Sequence, residues 1–441
     1  MTGYTVPIER RHIAPPAQLL IETALIFAIF LSASVFAQQT SPDAAPIAPL
    51  GRIAPLAEPA QLDSIQSYLE PLVANHTIAG AVTLVATRDR TIYLKATGFR
   101  DLAAKTLMPT DALFWIASVS KPLTATALMM LVDQGKVKLN DPVQKYLPEF
   151  KGQKVILKSA ITAHEAQGAS DSLRPPKLVR ATHPILIREI LSHTSGLPFR
   201  SAAEPGALDL LPLKDAVRSF AAEPLVFQPG TDYLYSNEGL NTAGRIIEVV
   251  SGMPYEQFMQ ERLFDPLGMK DTTFWPSDEQ IRRLAKTYKL DAQTKDLMEV
   301  PISQLTYPLD DRQHRYPMPA GGLFSTAEDM SRFCRMILNG GALDGKRYLS
   351  LEALNGMTKK QNRGRGKTDY GFGWTVSSSG FGHGGAFKNL IDIDTTAGRI
   401  LVFMVQQDGP WGTSDGDAMV SRVKQLANDM VASYAIDETS R

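Results

Sequence analysis

The chain has 441 residues, 44% of them hydrophobic and 21% charged, which is typical of a globular protein with one large or two medium domains. Its 46 Lys and Arg balance its 46 Asp and Glu, and this lack of basic excess argues against a general nucleic-acid or anionic-membrane binder. The single cysteine, Cys334, excludes an internal disulfide. Because Cys334 lies among apolar residues of a helical pattern, we expect a buried and unreactive thiol.

The first 60 residues are expected to lie outside the fold. Two arginines precede an apolar stretch that ends with small residues at Ala37, a pattern typical of a signal peptide over residues 1–37. The stretch is short for a membrane span, so we expect export to the periplasm or the medium, with an uncleaved membrane anchor as the alternative. Residues 38–60 are rich in Pro and Ala and are expected to form an extended linker.

The body of the chain, residues 61–436, carries strand patterns at both ends and helical patterns between them. Runs rich in β-branched residues predict a hairpin over 80–87 and 91–97. Near the C terminus, strands are predicted over 370–376, 389–394 and 399–406. Helical spacing of apolar residues is found over 61–74, 114–131, 185–191, 237–250, 255–263, 327–338 and 417–434.

This arrangement predicts an α/β (α+β) fold. We expect an antiparallel sheet built from both chain ends and flanked by helices, with a mostly helical region inserted between them. The polar, irregular segment 151–183 is expected to be an insertion or a long surface loop. Residues 437–441 remain as a C-terminal tail.

Ser118 and Lys121 stand three residues apart near the start of the apolar run 114–131. On a helix these positions share a face, and a partly desolvated lysine can take the proton of a serine hydroxyl and make it nucleophilic. A helix N terminus also directs backbone N–H groups at a forming anion. Taken alone, a Ser-x-x-Lys pattern occurs by chance in many proteins and Ser118 is more readily interpreted as a helix cap, but two later motifs favour catalysis.

The first of these later motifs is Tyr235-x-Asn237. A tyrosine beside the Ser/Lys pair can act as a phenolate or relay a proton, and nearby cations are expected to lower the pKa of Tyr235. The amide of Asn237 can orient Lys121 or a carbonyl group of a bound molecule.

The second later motif is His383-Gly384-Gly385-Ala386. The glycines let another backbone lie close to this segment. The backbone N–H of Ala386 is expected to join that of Ser118 as the second donor to an oxyanion.

The ordered set Ser118-x-x-Lys121, Tyr235-x-Asn237 and His383-Gly384-Gly385 resembles the three motifs of the serine β-lactamase and penicillin-binding-protein superfamily. The closest match is its class C-like branch, which includes family VIII carboxylesterases, D-stereospecific peptidases and D-alanyl-D-alanine carboxypeptidases. The resemblance spans about residues 61–436. It implies a β-lactamase-like fold and a hydrolase that needs neither cofactor nor metal.

The resemblance also implies a role for each matched residue. Ser118 would be the acylated nucleophile, Lys121 its activating partner and Tyr235 the general base or proton relay. Asn237 would orient Lys121 and substrate. His383 stands where many relatives carry a lysine, and a mostly neutral histidine offers less to a substrate carboxylate.

The expected function is therefore an exported serine hydrolase for carboxylic esters or D-amino-acid peptides and amides, with β-lactam hydrolysis at most secondary. The alternative is a non-turnover penicillin-binding or sensor protein that captures cell-wall peptides. The expected partner is a small ester, peptide or lactam rather than nucleic acid. The substrate class and the oligomeric state stay open at this point.

Two other patterns could indicate a functional site, but each lacks a feature that its chemistry requires. Gly412-x-Ser414-x-Gly416 fits a nucleophile elbow, but no histidine follows it, as an α/β-hydrolase requires, so Ser414 is interpreted as a loop or cap residue. The other histidines lack metal-ligand spacing, and His193, in a His-Thr-Ser-Gly turn, is interpreted as structural.

Overall fold

The computed structural model describes residues 63–157, 176–204, 207–291, 293–305, 308–362, 366–409, 411 and 416–439. The predicted signal peptide, the predicted linker and Ser414 lie outside these ranges. Most of the predicted insertion 151–183 also lies outside them. Its two described ends pair as an antiparallel hairpin, Lys154–Ile156 with Leu178–Arg180.

A seven-stranded antiparallel sheet joins the two ends of the chain. Its strands follow the spatial order Thr375–Val376, Gly380–Gly384, Leu390–Asp394, Arg399–Met404, Gly80–Ala86, Thr91–Asp101 and Thr106–Leu107. At its centre an N-terminal strand pairs with a C-terminal one, and Val82 lies opposite Met404. The predicted hairpin and the predicted sheet from both chain ends are confirmed.

Both faces of the central strand Gly80–Ala86 are covered, and this explains why all its residues are buried and all but Thr83 lack a polar side chain. Successive side chains of a strand point to opposite faces. Val82 and Leu84 accordingly join the main core, whereas Ala81 and Val85 join a second cluster. That second cluster contains the apolar residues of the first and last helices.

Helices fill the middle of the chain and cover the sheet. The α-helices of the described residues are Ser64–Ala74, Ser120–Asp133, Ile187–Leu191, Leu213–Ala222, Asn237–Ser251, Tyr255–Met259, Asp265–Leu267, Asp278–Arg283, Ala327–Leu338, Leu351–Thr358 and Gly416–Thr439. Short 3₁₀ turns lie at Ala117–Val119, Val143–Lys145 and Pro148–Phe150, and a π-helical turn lies at Gln260–Phe264. Small sheets pair Phe114–Trp115 with Phe324–Ser325, Ala342–Leu343 with Lys346–Arg347, and Tyr288–Leu290 with Leu297–Glu299 and Gln407–Asp408.

Two predicted elements differ from the structure for local reasons. The helix predicted over 114–131 begins only at Ser120, because Phe114–Trp115 pairs with another strand and Ala117 adopts a φ of 45°. The strand predicted over 370–376 is reduced to Thr375–Val376. Gly373 has a φ of 79°, and this left-handed conformation turns the chain before that strand.

Among the described residues, no helix has both the length and the hydropathy that a membrane-spanning segment needs. Cys334 is fully buried in the helix Ala327–Leu338, as predicted. Burial also raises the pKa of its thiol. This cysteine is therefore a packing residue rather than a nucleophile.

A buried ion pair fastens two irregular segments together. The Arg315 guanidinium donates to Asp209 at 2.7 Å, and the two side chains are only 3% and 2% exposed. Backbone hydrogen bonds Tyr316 N to Asp209 O and Leu208 N to Gln304 O join the same segments. The ion pair and these two hydrogen bonds thus hold residues 207–209 against residues 304–305 and 315–316.

Replacing Asp209 by Asn should therefore destabilise the fold. The buried Arg315 would lose its counter-charge, which costs about 3–5 kcal/mol of unfolding free energy, measurable by urea-induced unfolding. Asp215→Asn is the matched control, since its pair with Arg218 at 3.8 Å is more than half exposed and should matter by less than about 1 kcal/mol. Equal losses in the two variants would contradict a structural role for the buried pair.

Candidate active site

Ser118 occupies a tight turn rather than the interior of a helix. It lies in the 3₁₀ turn Ala117–Val119, immediately before the helix Ser120–Asp133, and is half-buried. The preceding Ala117 has a φ of 45°, a conformation that residues with a Cβ rarely adopt. Strained backbone of this kind persists only where its surroundings hold it, and here Ile116 N donates to Leu323 O at 3.0 Å.

Lys121 lies one turn further along, with no solvent exposure. Its Nζ is 3.1 Å from Ser118 Oγ, 2.7 Å from Asn237 Oδ1 and 2.8 Å from the carbonyl oxygen of Ala320. No carboxylate among the described residues forms an ion pair with it. Burial without a counter-charge lowers the pKa of Lys121 well below 10.5.

The three neighbours of Lys121 match the hydrogen-bonding capacity of a neutral amine. Asn237 Oδ1 and Ala320 O can only accept, so they take the two N–H donors of an NH₂ group. The nitrogen lone pair is then left for the hydroxyl proton of Ser118. The geometry and the lowered pKa therefore both fit a lysine that accepts a proton from Ser118.

Tyr235 lies against both groups. Lys121 Nζ is 4.7 Å from the centroid of the Tyr235 ring, and the phenol lies near the side chain of Ser118. The expectation that cations lower the pKa of Tyr235 is wrong. Burial raises this pKa, the nearby Ser118 side chain opposes the rise, and Tyr233 adds to it. Tyr235 is thus a phenol at neutral pH, and relay of a proton suits it better than phenolate chemistry.

Asn237 is the first residue of the helix Asn237–Ser251. Ser236 caps this helix by accepting from Gly239 N at 3.1 Å. Gly239 lies so close to the neighbouring helix that a Cβ would stand 2.7 Å from Ile190 O. One turn along, Asn241 accepts from Ala320 N at 2.9 Å, so this helix holds the carbonyl that contacts Lys121.

The strand Gly380–Gly384 and the turn after it bring Ala386 to the same place. A Cβ on Gly385 would stand only 2.6 Å from Ile116 O, so only glycine permits this approach. Asn389 donates to Trp115 O at 3.0 Å and fixes the turn against the Ser118 segment. Gly384 and Ala386 are exposed at this edge.

Two backbone donors are left free at this junction. Within the described residues, neither Ser118 N–H nor Ala386 N–H donates a hydrogen bond. Both residues line one cavity. Paired free N–H groups facing a cavity are suited to stabilise an oxyanion.

His383 does not line this cavity, contrary to the sequence-based expectation of a substrate contact. It is 5% exposed, with Nδ1 2.8 Å from the carbonyl of Gly384 and Nε2 2.9 Å from the Tyr370 hydroxyl. A carbonyl only accepts, so Nδ1 donates and Nε2 accepts from Tyr370. Burial, together with nearby Lys121, lowers the pKa of His383 to about 3. His383 is therefore a neutral, fully engaged group that fixes the strand edge.

His193 packs behind Tyr235 and was not expected at the site. Its ring centroid is 4.5 Å from those of both Tyr235 and Tyr370, and its Nδ1 accepts from Ser236 N at 3.0 Å. Burial lowers its pKa well below 6.5. A neutral ring packed against Tyr235 supports the position of that phenol, which agrees with the structural interpretation of His193.

The cavity beside Ser118 has a volume of about 340 Å³. Most of the residues that line it could not be predicted from the sequence, because they come from segments far apart in the chain. Besides the predicted residues they contain Trp115, Ala117, Phe199, Leu208, Gln304, Met318, Ala320 and Gly321. The Arg315–Asp209 ion pair fastens the two segments that contribute Leu208, Gln304 and Met318.

Glu238 is fully buried next to Asn237, and neither of its oxygens has a partner within the described part of the chain. Burial raises its pKa to about 9, with added repulsion from Glu223 and Glu204. A carboxyl group without donors in an apolar site is expected to be protonated. Glu238 is therefore uncharged at neutral pH.

The raised pKa of Glu238 predicts a pH-dependent stability. Between pH 4.5 and 9 the folded state keeps a proton that the unfolded state releases, so the unfolding free energy falls as pH rises through this window. Glu238→Gln should remove this fall and become more stable than the parent at pH 8 but not at pH 4. Urea unfolding at both pH values measures the difference in unfolding free energy between variant and parent, and exposed Glu352→Gln is the matched control. An equal stability difference at pH 4 and pH 8 would contradict the protonated form.

No group of three or more His, Cys, Asp or Glu within the described ranges is arranged to hold a metal ion. The site consists of a hydroxyl, an amine, a phenol and backbone donors. These groups can activate a serine and stabilise an oxyanion without further components.

Comparison with known proteins shows which family carries this arrangement of groups. Residues 65–424 match the family model described as "Beta-lactamase". Protein Rv1367c of Mycobacterium tuberculosis is 34% identical over 78% of this chain and 90% of its own length. Esterase EstB of Burkholderia gladioli is 28% identical over 74% of this chain and 78% of its own. The structure of a D-amino acid amidase from Ochrobactrum anthropi superposes with a TM-score of 0.62 at 25% identity, covering 84% of this chain and 99% of that one. The chain therefore belongs to the β-lactamase family and is a serine hydrolase with a β-lactamase-like fold.

Proposed function

We propose that the chain is an exported hydrolase that cleaves carboxylic esters, or peptides and amides of D-amino acids, through an acyl-enzyme on Ser118. One observation carries the proposal: the buried, counter-charge-free Lys121 lies 3.1 Å from Ser118 Oγ. The similarity to an esterase and to a D-amino acid amidase supports the two substrate classes.

In the first half-reaction Ser118 Oγ attacks the carbonyl carbon while its proton passes to Lys121 Nζ. The free N–H groups of Ser118 and Ala386 stabilise the oxyanion, and each such donor typically contributes ~3 kcal/mol to catalysis. The bond to the alcohol or amine then breaks. The leaving group takes the proton from Lys121 through the phenol of Tyr235, and the acyl group remains on Ser118.

In the second half-reaction water attacks the acyl carbonyl. A proton of this water passes to Lys121, the bond to Ser118 Oγ breaks, and Ser118 regains its proton. The products are a carboxylic acid and an alcohol or amine. Asn237 keeps Lys121 in position through both halves by its 2.7 Å hydrogen bond.

Hydrolysis of β-lactams is at most secondary in this proposal. The family position of a lysine is taken by His383, which is buried, neutral and engaged by Tyr370 and Gly384. It cannot supply the cation that a substrate carboxylate would need. Export rests on the N-terminal sequence pattern of residues 1–37.

Ser118→Ala should abolish hydrolysis of 4-nitrophenyl butyrate, because it removes the nucleophile, while circular dichroism and thermal unfolding stay close to those of the parent. Mass spectrometry after a fluorophosphonate probe should find the adduct on Ser118 only in the parent. Undiminished turnover in the variant would contradict the mechanism. A persistent acyl adduct without steady turnover in the parent would favour a sensor instead.

Lys121→Arg should lose about 10²–10⁴-fold in kcat/KM, because a guanidinium stays protonated and cannot act as a base. Lys121→Met, which also lacks a base, should lose as much, whereas exposed Lys138→Arg should not. In the parent, kcat/KM should rise with pH through the lowered pKa of Lys121, since only the deprotonated amine accepts the proton. Substantial activity in Lys121→Arg would show that the lysine acts only as a cation.

A further inference from the structure

The cavity beside Ser118 has no charged side chain among its described lining residues. Four of its side chains are large and apolar: Trp115, Phe199, Leu208 and Met318. The polar side chains on its wall are two amides, Gln304 and Asn237, and the hydroxyls of Ser118 and Tyr235. This composition differs from that of a site that pairs with an ionised substrate.

His383 and Lys121, two ionisable groups close to the cavity, already have hydrogen-bond partners within the protein. Both ring nitrogens of His383 are used by Tyr370 and Gly384. The amine of Lys121 is saturated by Ser118, Asn237 and Ala320. Within the described ranges, no ammonium or guanidinium lines the cavity to meet a carboxylate, and no carboxylate lines it to meet an ammonium.

We propose, as a deepening of the function proposed above and resting on it, that this cavity selects uncharged acyl groups and rejects acyl groups that carry a carboxylate or an ammonium. This narrows the proposed substrates to carboxylic esters and to D-amino-acid derivatives whose amino group is acylated. An unpaired charge loses its hydration on entering an apolar wall and gains nothing in return. A cavity of about 340 Å³ has room for on the order of ten water-sized groups at about 30 Å³ each. Esters of apolar carboxylic acids with roughly seven or eight carbons fit this space.

The test compares substrates of equal size and unequal charge. The 4-nitrophenyl ester of 6-methylheptanoate is matched with the hemiadipate ester, which replaces the terminal isopropyl group by a carboxylate. The heptanoate ester is likewise matched with the 6-aminohexanoate ester. In each pair the uncharged ester should show a kcat/KM about 100-fold higher, after subtraction of the rate measured with Ser118→Ala.

A substitution at Gln304 tests whether a cation on the cavity wall allows a charged acyl group to react. Gln304→Lys places a cation on the cavity wall and should raise kcat/KM for hemiadipate at least tenfold relative to the 6-methylheptanoate ester. Gln304→Met, the matched control, removes the amide without adding charge and should leave the ratio of the two esters unchanged.

A preference for the uncharged esters below tenfold in the parent would overturn the inference. So would a Gln304→Lys variant whose ratio equals that of Gln304→Met. If instead no ester is hydrolysed in a Ser118-dependent manner, the proposed function itself fails, so the two failures are distinguishable.

Discussion

The site depends on an amine buried without a counter-charge. Lys121 has no solvent exposure, and its neighbours are an amide oxygen, a carbonyl oxygen and a hydroxyl. In such surroundings the neutral amine is favoured over the ammonium. Two obligate acceptors orient its N–H groups and leave its lone pair for Ser118. The reactivity of the serine is therefore set by the packing of the helices Ser120–Asp133 and Asn237–Ser251.

The rest of the fold brings a strand edge that can stabilise an oxyanion next to Ser118 and Lys121. The central sheet places the C-terminal strand Gly380–Gly384 beside the turn that holds Ser118, and Gly385 allows a contact that any side chain would block. His383 and Tyr370 fix this edge from behind through a hydrogen-bond chain. The strained Ala117 and the close approach of Gly385 are local costs that the packed core offsets.

The sequence was sufficient to predict the sheet from both chain ends and the convergence of Ser118, Lys121, Tyr235 and Asn237, which the structure brings together. These predictions depend on residue spacing and apolar periodicity, both of which are local properties. The start of the nucleophile's helix was misplaced because the φ of Ala117 is imposed by tertiary contacts. The pKa of Tyr235 and the surroundings of His383 were wrong or missed because burial is set by remote segments.

The cavity wall shows the same limit. Trp115, Phe199, Leu208 and Met318 lie in four separate stretches of the chain, and nothing in their local sequence marks them as neighbours. The Arg315–Asp209 pair that fastens two of these stretches joins residues more than a hundred positions apart. Features of this kind follow from the packing of loops, which a one-dimensional pattern does not encode.

The protonation state of Lys121 decides whether it can accept the proton of Ser118, and this state can be measured directly. In protein labelled with [ε-¹³C]lysine, the signal that disappears in Lys121→Arg identifies the Lys121 Cε, and its chemical shift can be followed from pH 5 to pH 11. If Lys121 is a neutral amine at neutral pH, the titration midpoint lies well below the 10.5 of an ordinary lysine. A midpoint at or above 10.5 would mean that Lys121 is an ammonium at neutral pH, and the proposed role as proton acceptor for Ser118 would be wrong.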